Sequence, residues 1–171
     1  EIMTTARFAG LSAASLCAAA LLLAASGAGA REVMRDLSAG ARCDRLAAFD
    51  GEEGEAVPVP LAEIDAEAAI AACEAALDEP GAPSRYRVQL ARGFLKAGRY
   101  REAARALEHA VAEGDAAAMF VLAQMHHSGR GIGRDLVRAR ELYAQALDAG
   151  YARAAVGLVI LKERAGPPVH D

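Results

Sequence analysis

Gly114-Asp115-Ala116-Ala117-Ala118-Met119-Phe120-Val121-Leu122 returns 36 residues later as Gly150-Tyr151-Ala152-Arg153-Ala154-Ala155-Val156-Gly157-Leu158. Glycine, two alanines and leucine keep their places, and Phe120 gives way to Val156. Between the copies run Gly129-Arg130-Gly131-Ile132, then Asp135, Ala139, Leu142-Tyr143 and Ala146. A fixed period in the thirties, with small residues at set places, is the mark of stacked helical hairpins.

The period extends outward in both directions. Ala69, Cys73 and Ala76 reappear 34 residues on as Ala103, Leu107 and Ala110, and 36 further on as Ala139, Tyr143 and Ala146. Each trio sits at i, i+4 and i+7, one face of a helix, where two small residues let a neighbouring helix approach. The helices before them agree: Leu90, Ala91 and Phe94 match Leu122, Ala123 and His126 at an offset of 32. The reading is all-α. Helices are expected over 33–49, 67–78, 85–97, 100–113, 116–127, 136–149 and 151–164, with Asp65, Ser84 and Asp135 as caps. The segment from Asp50 to Pro60 carries two glycines and two X-Pro steps and is expected to be extended.

Composition fits this reading. The 171 residues contain no tryptophan, four Phe and four Tyr, so a core of large aromatic side chains is excluded and close helix packing on alanine is favoured. The net charge of −4 is mild and mixed in sign, with no basic block, so no nucleic-acid partner is expected.

Residues 1–30 read as an export signal. Arg7 starts it, Leu16 to Ala25 is apolar, and Ala28-Gly29-Ala30 precedes a cut at Ala30/Arg31. The alternative is an uncleaved membrane anchor, because Phe8 to Ala30 carries no charge. Cys17 is a poor lipidation site. Processing leaves Cys43 and Cys73, and an even count in an exported protein favours a disulfide over two buried thiols. Cys73 takes the slot of Leu107 and Tyr143, facing the preceding helix that carries Cys43. A bridge there is expected to contribute about 3–4 kcal/mol, and its reduction to free the N-terminal helix first. The organisation is then signal 1–30, N-terminal helix and extended loop 31–60, repeats 61–164 and tail 165–171.

The part from Leu90 to Ala110 resembles the tetratricopeptide repeat, through Leu90, Ala91, Phe94, Gly98, Tyr100, Ala103, Leu107 and Ala110. From Ala116 onward the chain resembles a Sel1-like repeat. The matching residues are Ala116, Ala118, Leu122, Ala123, Met125, Gly129, Gly131, Ile132, Asp135, Arg138, Ala139, Tyr143, Ala146 and Gly150. His126 and Leu142 stand where that family usually has tyrosine and tryptophan. The resemblance implies a short right-handed α-solenoid acting as an adaptor. In that register Arg85, Arg92 and Lys96, with Gln124 and His127, line the concave face. They would suit a carboxylate-bearing protein or peptide partner.

Catalysis is not expected, and neither cofactor nor metal. Gly129-Arg130-Gly131 lacks the lysine and hydroxyl residue of a phosphate loop and joins two helices. His126 and His127 are adjacent on a helix and diverge by about 100°, too far to share an ion. His109 and His170 have no evident partner. One rival remains by analogy: some secreted Sel1-like proteins have been proposed to bind or hydrolyse β-lactams. The Ser-x-x-Lys pattern of true β-lactamases is missing here. The expected location is periplasmic or secreted, with a membrane-anchored form as the alternative.

Overall fold

Four helices in this chain start where a short polar side chain accepts one of the first free amides. The computed structural model describes residue 34, residues 37–49 and residues 57–164. Ser38 accepts from the amide of Ala41 and opens α1, Ala39–Ala47. Asp65 accepts from Ala68 and opens α2, Ala66–Leu77. The remaining helices are α3 (Arg85–Lys96), α4 (Tyr100–Ala112), α5 (Ala116–Ser128), α6 (Leu136–Asp148) and α7 (Ala154–Arg164). Asp115 and Asp135 cap α5 and α6 through the amides of Ala118 and Arg138, each at 2.9 Å. A carboxylate at this position satisfies an orphan donor and faces the positive end of the helix dipole.

Three expectations shift at the boundaries. With Ser38 as its cap, α1 starts at Ala39, six residues later than Val33. Ser84 does not cap α3: its own backbone is helical, and its hydroxyl donates to Asp115 Oδ2 at 2.7 Å, tying the starts of α3 and α5 together. Tyr151 precedes a turn at residues 152–153, and α7 begins at Ala154. A 3₁₀ turn at Leu61–Glu63, after Pro60, was not foreseen. The signal with Cys17, residues 50–56 of the break and the tail with His170 lie outside the described residues.

Among the described residues the structure is all-helical. Helices adjacent in sequence pack together, and α3 also touches α1 and α5. The three trios form the core. Ala69, Cys73, Ala76, Ala103, Leu107, Ala110, Ala139 and Ala146 have no exposed surface, and Tyr143 is 2% exposed. Alanine on both sides of the larger residue lets backbones close in, and the larger residue fills the space between helices. The helix α3 is buried on almost every side, as expected for one with neighbours all round. Cys43 and Cys73 are bridged, with Cα atoms 4.7 Å apart, and both are fully buried between α1 and α2. No helix among the described residues is long and apolar enough to cross a membrane.

Candidate binding groove

The basic residues of α3 have partners within the chain. Arg85 forms a two-point pair with Asp44 of α1 at 3.3 Å and also donates to the Tyr86 hydroxyl. Gln89, fully buried one turn on, donates to Asp44 Oδ1 at 2.9 Å. Its Oε1 lies 2.8 Å from Cys43 Sγ, a contact and no hydrogen bond, because a bridged sulfur has no proton to give.

Arg92, 6% exposed, donates to the carbonyls of Ala47, Ala48 and Val59, and its guanidinium stacks 4.9 Å from the Phe49 ring centre. Ala47 is the last residue of α1 and Ala48 caps it, and their carbonyls have no partner within the helix. A cation there satisfies them and faces the negative end of the dipole. Lys96 donates to the Ala62 carbonyl. Of the expected concave-face strip, Arg92 is buried, Arg85 is partly exposed and Lys96 is exposed, and all three head groups dock α1 and the 57–63 segment onto α3. Their spacing on one helix face was legible. Their partners were not, because those partners are mostly backbone carbonyls.

An aromatic chain continues inward from Arg92. Phe49 stacks on Tyr151 (ring centres 6.3 Å apart), Tyr151 meets Phe120 at 5.0 Å, and Phe120 meets Tyr143 at 5.7 Å. Few aromatics are present, yet these join α1 to the turn before α7.

Beyond the docked segment lies an open groove of about 700 Å³. Its floor is apolar: Leu61, Leu95, Val121, Met125, Tyr143 and Ile160. Its polar side carries Gln124, His127, Ser128, Arg130 and Arg134, with Tyr100 at the edge. The repeat register explains its position. At the offset of 32, Val121, Gln124 and Ser128 on α5 match Gln89, Arg92 and Lys96 on α3. The same stripe is occupied by the chain on α3 and open on α5.

Two of the five expected binding residues, Gln124 and His127, line this groove; the other three do not. Arg130 and Arg134 were missed, since the loop between α5 and α6 was read only as a turn. That loop is shaped by glycine. Gly129 ends α5 in the left-handed conformation (φ 75°), and Gly131 also has positive φ (74°), where a Cβ would overlap Tyr100. The resulting turn brings Arg134 Nε to 3.2 Å from the His127 carbonyl. Both arginines are exposed.

The groove has one perturbed group. Burial pushes the Tyr143 hydroxyl up to about 12, so it stays a neutral donor at physiological pH. Ser128 spends its hydroxyl on the carbonyls of Gln124 and Met125. His126 is half-buried, and its Nδ1 has no hydrogen-bond partner among the described residues. Among the described residues no three His, Cys, Asp or Glu side chains converge as a metal site would require. The arrangement offers an apolar trough beside two cations, which is suited to binding. The chain matches no family model, no curated protein and no solved structure.

Proposed function

We propose that this chain is an exported adaptor, a short right-handed solenoid of tetratricopeptide and Sel1-like hairpins that binds a protein or peptide without catalysis. The observation that carries the reading is the groove along α5, with its apolar floor flanked by Arg130 and Arg134. Its occupant is a segment with an apolar side chain for the floor and a carboxylate for the arginines. The signal-like start, cut near Ala30, and the Cys43–Cys73 bridge fit an oxidising compartment such as the periplasm.

Selection from a random peptide library tests the reading. Enrichment of an apolar residue followed by an acidic residue or a free C-terminus is expected, and it should disappear with Arg130→Glu/Arg134→Glu. Failure to enrich any sequence, or enrichment indifferent to those changes, would overturn it. Turnover of a chromogenic β-lactam would overturn the absence of catalysis.

A further inference from the structure

The stripe that forms the groove on α5 already holds an extended segment where it crosses α3. There Arg92 donates to the Val59 carbonyl, and Lys96, one turn later, donates to the Ala62 carbonyl. The segment therefore runs in the direction of α3 and is held by its main-chain oxygens. Pro58 and Pro60 flank Val59, and Pro60 has φ −57° and ψ 139°, the polyproline-II conformation.

This docked segment borders the groove. Leu61, the residue after Pro60, lines the groove beside Leu95. In the repeat register the Arg92 position passes to Gln124 on α5, an exposed side-chain amide, and Arg130 and Arg134 follow beyond the helix. Among the described residues the groove's lining holds no carboxylate. A stripe of donors over an apolar floor suits a chain that presents carbonyls along its length. A helix does not, because its free carbonyls are confined to its last turn. An extended segment does, and prolines in it cost nothing here, since its carbonyls carry the contact. Their fixed φ also keeps the segment extended before it binds, which lowers the ordering cost.

We propose that the groove takes a proline-containing polyproline-II segment of a partner protein, laid along α5 as residues 57–61 lie along α3. This rests on the adaptor reading above and narrows it. Gln124 donates to a main-chain carbonyl of the partner, as Arg92 does within the chain. Apolar side chains between the prolines cover Val121 and Met125. The direction follows the docked segment, so a carboxylate placed after the prolines reaches Arg130 and Arg134.

Two peptide libraries of equal length test the proposal on the purified protein, one with proline at alternate positions and one free of proline. The proline library should enrich apolar residues between the prolines and an acidic residue after them. In the selected peptide, replacing both prolines by alanine should weaken binding about tenfold, read by fluorescence polarisation. Gln124→Leu should weaken it about fivefold with an unchanged melting temperature. Enrichment confined to the proline-free library, or affinity indifferent to the prolines, overturns the proposal and leaves the adaptor reading standing. Affinity indifferent to Gln124→Leu overturns the carbonyl contact, and acidic residues enriched ahead of the prolines overturn the direction. Enrichment from neither library overturns this proposal and the adaptor reading together.

Discussion

Three hydrogen bonds from Arg92 to the carbonyls of Ala47, Ala48 and Val59 close the end of α1 and pin the extended segment beside it. Removing the guanidinium takes the donor from the buried Ala47 carbonyl and from the Val59 carbonyl, each costing on the order of 1–3 kcal/mol, while the Ala48 carbonyl keeps the Val59 amide at 2.9 Å. Arg92→Leu is expected to lower unfolding stability in urea by about 3 kcal/mol or more. Arg92→Lys should recover only part, because an ammonium lacks the planar fork that reaches three acceptors. A loss below about 1 kcal/mol would mean that the arginine is dispensable to the docking. A second residue governs alkaline behaviour. Unfolding returns Tyr143 to the ordinary tyrosine value near 10, while burial holds it at about 12 when folded. The unfolded chain therefore ionises first. Stability is fully present below about pH 10 and falls as pH rises towards 12. Tyr143→Phe should flatten that decline in thermal melts recorded between those values. An identical decline in the variant would assign it to other groups.

At the scale of elements, the loop between α5 and α6 depends on Gly131, whose positive φ and contact with Tyr100 leave no room for a side chain. Gly131→Val is expected to cost about 2 kcal/mol, read as a lower urea midpoint, and to displace Arg130 and Arg134. An unchanged midpoint would contradict the turn described above. The first pair has several fasteners: the Cys43–Cys73 bridge, the Arg85–Asp44 pair, Gln89 and Arg92. The bridge closes a separation of 30 residues, for which chain entropy alone gives about 3–4 kcal/mol. Cys43→Ser/Cys73→Ser should therefore speed amide exchange in α1 while α5 and α6 stay protected. Uniform acceleration would show that the helices open together. The helix pattern was legible because the alanine trios and the aspartate caps are local signals. Ser84 misled, because a cap and a cross-helix hydrogen bond to Asp115 look alike in sequence. The Cys43–Cys73 pairing was legible from the register of Cys73 with Leu107 and Tyr143.

At the scale of the whole molecule, one stripe of positions recurs on successive helices with two fates. On α3 it holds Gln89, Arg92 and Lys96 and carries the chain's own segment; on α5 it holds Val121, Gln124 and Ser128 and stays open. The repeat made the stripe legible. Which part was occupied was not legible, because Ala47, Ala48, Val59 and Ala62 reach it through main-chain carbonyls, which have no sequence signature. The arginines of the groove were hidden for a related reason: their positions depend on a glycine turn, not on helical spacing. Calorimetric titration of a library-selected peptide against two double reversals separates the two halves most directly. Arg130→Glu/Arg134→Glu should abolish binding with the melting temperature unchanged. Arg85→Glu/Lys96→Glu should lower the melting temperature while binding persists at a temperature where the variant is folded. The opposite pattern, with binding lost through Arg85 and Lys96 and indifferent to Arg130 and Arg134, would contradict the account.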